Sequence, residues 1–249
     1  MENLKVQVFG DRKSLGLEAA QLVGNKIKKL LNNKDEINII FAAAPSQNEF
    51  LEEFVKDDTI PWESINAFHM DEYLGLPDGA LQTFGHFLTS RLFDKRPFKS
   101  VNLLNGAAQD FNEECVRYAK LLLKFPADIV CLGIGENTHI AFNDPGQADF
   151  NDRELVKVVQ LDTACRQQQV NDKCFRQISD VPEFAITLTI PALTSAQFIS
   201  CVVPGRLKAT AVCHTLRQPV SAAYPSTILR EKHGAVLLLD KDGFSAYNS

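Results

Sequence analysis

The apolar run IVCL ends in Gly133 and Gly135, and the chain then delivers Asn137, His139 and Asp144 in quick succession. Glycine permits positive φ or close backbone approach, so such a turn can bring polar side chains to the end of a strand. Imidazole carries protons near neutral pH, and an amide or acid beside it fixes its tautomer and raises its basicity. The spacing points to a proton shuttle at His139, with a purely structural histidine as the alternative. A second segment, residues 68–76, runs from an apolar stretch directly into Asp71 and Glu72. A carboxylate shielded at a strand end has a raised pKa and can act as a general base. The competing reading has the two acids capping the following turn. In the third segment, VPGRLKA, cations occupy the first turn of a helix. Positive charge there opposes the helix dipole unless an anion shares the site, so Lys208 is a candidate phosphate ligand or else a solvated surface lysine.

These segments need a scaffold to position them. Residues 5–9 alternate as a strand does, and Ser14 precedes apolar residues at Leu15, Ala19, Leu22, Val23, Ile27 and Leu30 with helical spacing. Further strands are predicted at 38–44, 65–69, 128–133, 156–161, 184–190, 198–203 and 235–239. Helices are predicted from Pro45-Ser46 through Phe54, and over 83–93, 112–124 and 206–215. Short, apolar, β-branched runs alternating with helices imply an α/β fold, a mainly parallel sheet covered on both faces. No linker composition divides the 249 residues, which implies one domain. In such sheets ligands collect beyond the carboxyl ends of the strands, where all three segments fall.

Composition narrows the function. A hydrophobic fraction of 45% and a charged fraction of 23% suit an ordinary globular core. The net charge of −5, with no long basic cluster, argues against nucleic acid as a partner. No run reaches the roughly 18 apolar residues of a membrane span, and the first residues lack a secretory core, so a cytoplasmic protein is expected. Cys115, Cys131, Cys165, Cys174, Cys201 and Cys213 show no metal-ligand spacing and read mostly as buried thiols. The pair of glycines without a third does not support a dinucleotide site.

Taken together, FHMDEYLGL, LGIGENTHIAFNDPG and VPGRLKA resemble, in order and spacing, the motifs of glucosamine-6-phosphate deaminases. The resemblance implies a Rossmann-like three-layer α/β/α sandwich, no metal, no redox cofactor, and a small-molecule sugar phosphate as partner, with a homo-oligomer left open. It implies a hydrolytic deaminase and aldose-ketose isomerase that yields fructose 6-phosphate and ammonia. Asp71 would move the proton from C2 to C1. His139 would shuttle the proton that opens the ring, supported by Asn137 and Asp144, and Lys208 would hold the phosphate. Substrate contacts are also expected from Ser46, Glu72 and Gly135, with a second phosphate ligand at Arg166 or Lys173. The sequence departs from the family pattern at residues 42–47, where alanines replace a glycine-rich loop, and at Thr138, which replaces a glycine. It departs again at Asp144, which replaces a glutamate and is shorter by roughly 1.5 Å. No basic allosteric site is matched, so no such regulation is expected. The alternatives are a lactonase-like enzyme of the same fold and a sugar-phosphate binding module without turnover.

Overall fold

A computed structural model describes residues 3–77 and 79–247. Strand β1 (Lys5–Phe9) leads into helix α1 (Arg12–Leu31). Asp11 caps this helix by accepting from the Ser14 amide, and its own amide donates to the Ser14 hydroxyl. The helix therefore starts a turn earlier than the apolar pattern suggested, because Ser14 is the third residue of a capping box rather than the cap. There follow β2 (Ile37–Phe41), α2 (Asn48–Phe54), β3 (Ile65–His69), β4 (Asp71–Tyr73), α3 (Phe84–Arg91), β5 (Ser100–Asn102), α4 (Phe111–Lys124) and β6 (Ile129–Leu132). The chain continues through β7 (Val156–Gln160), α5 (Thr163–Asn171), β8 (Phe184–Leu188), α6 (Ile190–Thr194), β9 (Phe198–Val203), α7 (Ala209–Arg217) and β10 (Ala235–Asp240).

Seven strands form a parallel sheet in the order β1-β10-β9-β6-β2-β3-β5. Alternate residues of β2 face opposite ways. Ile37, Ile39 and Phe41 join an apolar layer with Val23 and Ile27 of α1, whereas Ile40 joins one with Tyr118 and Leu122 of α4. Both faces are thus buried under helices, which is why the strand, Asn38 apart, is apolar on both sides. The α/β sandwich with a mainly parallel sheet is present as the sequence implied.

Two of the expected strands belong elsewhere. β7 and β8 form, with β4, a separate three-stranded antiparallel sheet in the order β4-β8-β7. Along β7, Val156 and Val159 are buried whereas Val158 and Gln160 are exposed, so this strand is partly open to solvent, as antiparallel sheets allow. Asp71 and Glu72 therefore lie in a short strand, not in a loop. Other boundaries move for local reasons: residues 42–44 leave the ladder at the end of β2, and residues 206–208 form a tight turn before α7.

β2 is flanked by β3 on one side and β6 on the other, and the connections from these two strands build the sheet in opposite directions. This reversal opens a crevice beyond the carboxyl ends of β2 and β6.

Candidate active site

A cavity of about 750 Å³ fills that crevice and is lined by residues 42–46 after β2, Asp71 after β3, Gly133, Gly135 and His139 after β6, and Lys208 after β9. Part of its far wall comes from α5 through Gln168 and Gln169, with Asp172 and Lys173 just beyond the helix.

The turn after β6 is built around the imidazole. A Cβ at Gly135 would stand 2.1 Å from His139 Cε1, so only glycine leaves room for the ring. Gly135 also lines the cavity, as expected of a residue near a ligand, and its lack of a side chain is what admits the imidazole. Thr138 adopts φ 74°, a conformation that costs a β-branched residue on the order of 1–2 kcal/mol. Its hydroxyl is buried without a partner, and its carbonyl accepts from the Ser226 amide. The turn is therefore held in a strained form by its surroundings.

His139 is oriented through Nδ1, which lies 2.7 Å from Asn137 Oδ1 and 3.1 Å from Asp144 Oδ1. The Asn137 amide nitrogen donates to Asp144 Oδ1 at 2.8 Å, and Asn137 Oδ1 also accepts from the His139 amide. The asparagine therefore presents an acceptor to the ring. With acceptors at both contacts, Nδ1 carries the proton in the neutral ring and Nε2 keeps its lone pair. Asp144 makes this contact directly despite its short side chain, because the backbone brings it inward. Asn143 is fully buried and ties the loop down by donating to the Ile140 and Leu188 carbonyls, while Ala141 turns through φ 49°. Burial would raise Asp144, but its hydrogen bond to His139, the charge of that ring and the Asn137 amide outweigh it and leave the carboxyl below its ordinary value.

Asp71 is the opposite case. It is buried, lines the cavity and accepts no hydrogen bond among the described residues. Burial, assisted by the charge of Glu72, pushes it well above the ordinary carboxylate range. Glu72 points elsewhere: its carboxylate accepts from the amides of Tyr73, Phe84 and Gly85, closing the first turn of α3, and it does not line the cavity. This residue was expected to touch substrate, and its oxygens are instead committed to backbone.

Lys208 is only 8% exposed, and its ammonium has neither a hydrogen bond nor an ion pair among the described residues. Burial lowers its pKa, offset in part by the charges of Asp172 and Glu136. A desolvated cation without a partner at a cavity wall is a site for an anion. The turn bearing it is fixed by Asp240, which accepts from the amides of Gly205 and Gly243. Ser46 stands on the neighbouring loop, its hydroxyl accepting from Gln47, in close approach to Gly133. No residue between 42 and 47 has positive φ, so the alanines that replace glycine there sit without strain.

Of the two candidates for a second phosphate ligand, Lys173 lines the cavity and Arg166 does not. The Arg166 guanidinium donates to the Ile178 and Val181 carbonyls and faces Glu183, stitching the end of α5 to the next turn. Arg12 and Arg91 also reach the cavity, although each has a partner: Glu49 for Arg12, and Asn48 for Arg91. The sequence reading named Arg166 but placed no helix there and missed Gln168 and Gln169. The available signal was Asp162, which caps the helix by accepting from the Cys165 amide.

His139, Asp144 and Cys165 each offer a donor atom, all within 4.8 Å of one another, a set that zinc would accept. Burial and the adjacent Asp144 push the Cys165 thiol well above its ordinary pKa, so it stands beside the relay as a neutral group. No helix among the described residues is long and apolar enough to cross a membrane.

Residues 10–238 match the family described as glucosamine-6-phosphate isomerases/6-phosphogluconolactonase. The chain is 34% identical over 204 residues to a glucosamine-6-phosphate deaminase of Streptococcus sanguinis, covering 82% of this chain and 84% of that one. It is 33% identical over 224 residues to the Exiguobacterium enzyme of the same name, with 90% and 85% covered. Among solved structures, a monomeric glucosamine-6-phosphate deaminase superposes with a TM-score of 0.87 at 27% identity over 97% of this chain and 99% of that one. The 6-phosphogluconolactonase of Thermotoga maritima shares the fold, with a TM-score of 0.78 at 19% identity, covering 96% and 100% of the two chains.

Proposed function

The chain belongs to the glucosamine-6-phosphate isomerase/6-phosphogluconolactonase family, and we propose that within it this protein converts glucosamine 6-phosphate, or a close hexosamine relative, to fructose 6-phosphate and ammonia. One observation carries the reading. A single cavity holds an unbonded buried carboxylate, an imidazole with one nitrogen fixed and the other free, and an unpaired buried ammonium.

Each group meets a need of the reaction. The phosphate of the sugar sits against Lys208, assisted by the Ser46 hydroxyl, and supplies the charge that this cation lacks. His139 Nε2 accepts the proton of the C1 hydroxyl and returns it to the ring oxygen as the C1–O bond breaks, giving the open aldehyde. Asn137 and Asp144 hold the ring in the tautomer that can accept first, and they stabilise the imidazolium formed. Asp71, ionised, takes the C2 proton; the C2–H electrons form the C1=C2 bond of an enolamine as the C1=O π pair moves to O1, which takes a proton from the substrate's ammonium group and leaves the amine neutral. The same carboxyl returns the proton to C1, and the nitrogen lone pair forms C2=N. A raised pKa suits this carboxylate to that exchange, because a more basic carboxylate is a better match for a weak carbon acid. Water adds at C2 and ammonia leaves, so the overall change is a hydrolytic deamination preceded by an aldose-ketose shift. Free thiols at all six cysteines accord with a reducing cytoplasm for this chemistry.

The test is a coupled ammonia assay over hexosamine 6-phosphates, run beside a lactone hydrolysis assay on a 6-phosphogluconolactone. Ammonia release with no acid release is expected. Acid release alone would assign the protein to the lactonase side of the family, and binding without either would leave it a sugar-phosphate receptor.

A further inference from the structure

Helix α5 carries polar side chains where a helix of its position ordinarily carries apolar ones. Its buried residues are Cys165, Gln168 and Gln169, and all face inward at helical spacing. Gln168 is already committed: its carbonyl oxygen accepts from the Glu136 amide at 2.9 Å, and its nitrogen reaches Asp172. Gln169 is not. It is 7% exposed, lines the cavity, and its carboxamide makes no hydrogen bond among the described residues. Its donor and acceptor capacity therefore faces the cavity unused by the described protein groups and is open to a polar ligand.

The helix also has a direction relative to the site. Near its amino end Cys165 lies beside Asp144 and His139, the ring-opening groups, and within reach of the charge of Asp71. Just past its carboxyl end, the charge of Asp172 acts on Lys208 and on Arg12. Gln169 falls between the two, about 6 Å along the axis from Cys165 at 1.5 Å per residue. On the deaminase reading, the reacting C1 and C2 lie at one end and the phosphate on C6 at the other. The middle of the sugar then passes Gln169.

We infer that Gln169 is a specificity-determining residue whose carboxamide hydrogen-bonds the hydroxyl groups on the middle carbons of the substrate. A carboxamide both donates and accepts, as a hydroxyl does, and its position is fixed by a helix whose neighbouring side chain is locked in place. A change of configuration at C4 moves one hydroxyl out of its reach. Gln169 therefore sets the preference between C4 epimers while taking no part in proton transfer.

This inference rests on the deaminase reading for the orientation of the sugar, and it is tested by binding as well as by turnover. Calorimetry would compare the wild type, Gln169→Leu and Gln169→Asn with two probes: an unreactive acyclic hexitol 6-phosphate and inorganic phosphate. In Gln169→Leu the hexitol phosphate should bind about tenfold more weakly, with inorganic phosphate unchanged, because a neutral hydrogen bond is lost. Gln169→Asn, with the amide withdrawn by one methylene, should fall between. In turnover, the KM of Gln169→Leu should rise while kcat stays within about threefold, and its preference between C4 epimers should narrow. Unchanged affinity for the hexitol phosphate would overturn the inference. So would an equal loss for inorganic phosphate, which would make Gln169 a support for α5. A wild type that hydrolyses a phosphorylated lactone and releases no ammonia would overturn the deaminase reading instead, and the binding comparison would still decide the role of Gln169.

Discussion

Asp71 and Asp144 are the same side chain, both buried, the first lining the cavity and the second behind His139, yet their surroundings move them in opposite directions. Asp144 lies against an imidazole and an amide, and its charge is stabilised. Asp71 has no such side-chain partner, and burial together with the charge of Glu72 resists its ionisation. The first is thereby suited to orient a proton carrier and the second to be one. Opposed environments for like groups are how a single site divides acid-base labour.

The comparison is broken most severely at Asp71. Asp71→Asn keeps the shape and removes the basicity, so kcat should fall by about 10²–10⁴-fold with substrate affinity largely kept. Steady-state kinetics beside calorimetry on the hexitol phosphate would check both halves. Next in size is Lys208→Met, which should weaken binding of phosphorylated sugars by about 10–100-fold through loss of a charge-assisted hydrogen bond. Affinity for the unphosphorylated sugar should hardly move, and equal losses for both would make Lys208 a structural cation.

Asp144→Asn is the milder break, since Asn137 still offers its oxygen to Nδ1. A loss of about 10–100-fold in ring opening is expected, with an already open-chain substrate analogue slowed much less. Rates on the cyclic and open-chain substrates decide it: equal slowing would remove the specific role in ring opening.

Stability against pH sharpens the contrast further. Because the folded pKa of Asp71 is raised, the folded state holds its proton over a range where the unfolded chain has lost it. The resulting penalty appears as pH rises above the ordinary value near 3.8 and is complete above the folded pKa. Asp71→Asn should therefore raise the melting temperature at neutral pH and lose that gain near pH 3. The lowered pKa of Asp144 gives stability that is present above the ordinary value and lost as pH falls through the folded one. Asp144→Asn should lower the melting temperature at neutral pH, with the deficit shrinking in acid. Parallel shifts in the two variants, followed by thermal melts from pH 3 to 8, would contradict the opposed environments.

The parallel sheet was legible because β2, β6, β9 and β10 are buried on both faces and read as predominantly apolar runs. The site residues were legible because Asp71, His139 and Lys208 stand in the polar segments that follow β3, β6 and β9. The opposite wall was not. α5 turns Gln168 and Gln169 inward, so it lacks the apolar periodicity by which a helix is found. Glu72 was misjudged because its partners, the amides of Phe84 and Gly85, are distant in sequence, and Arg166 because its carbonyl acceptors become neighbours only once the chain turns back after α5.

The central claim is that Asp71 alone moves the proton between C2 and C1, and proton exchange with solvent tests it most directly. Wild type and Asp71→Asn would be incubated with fructose 6-phosphate and ammonium in deuterium oxide, and deuterium at C1 of the ketose followed by nuclear magnetic resonance. The wild type should exchange one C1 hydrogen, and Asp71→Asn should show none above background while still binding the hexitol phosphate. Undiminished exchange in that variant would place the base elsewhere and contradict the division of labour between the two aspartates.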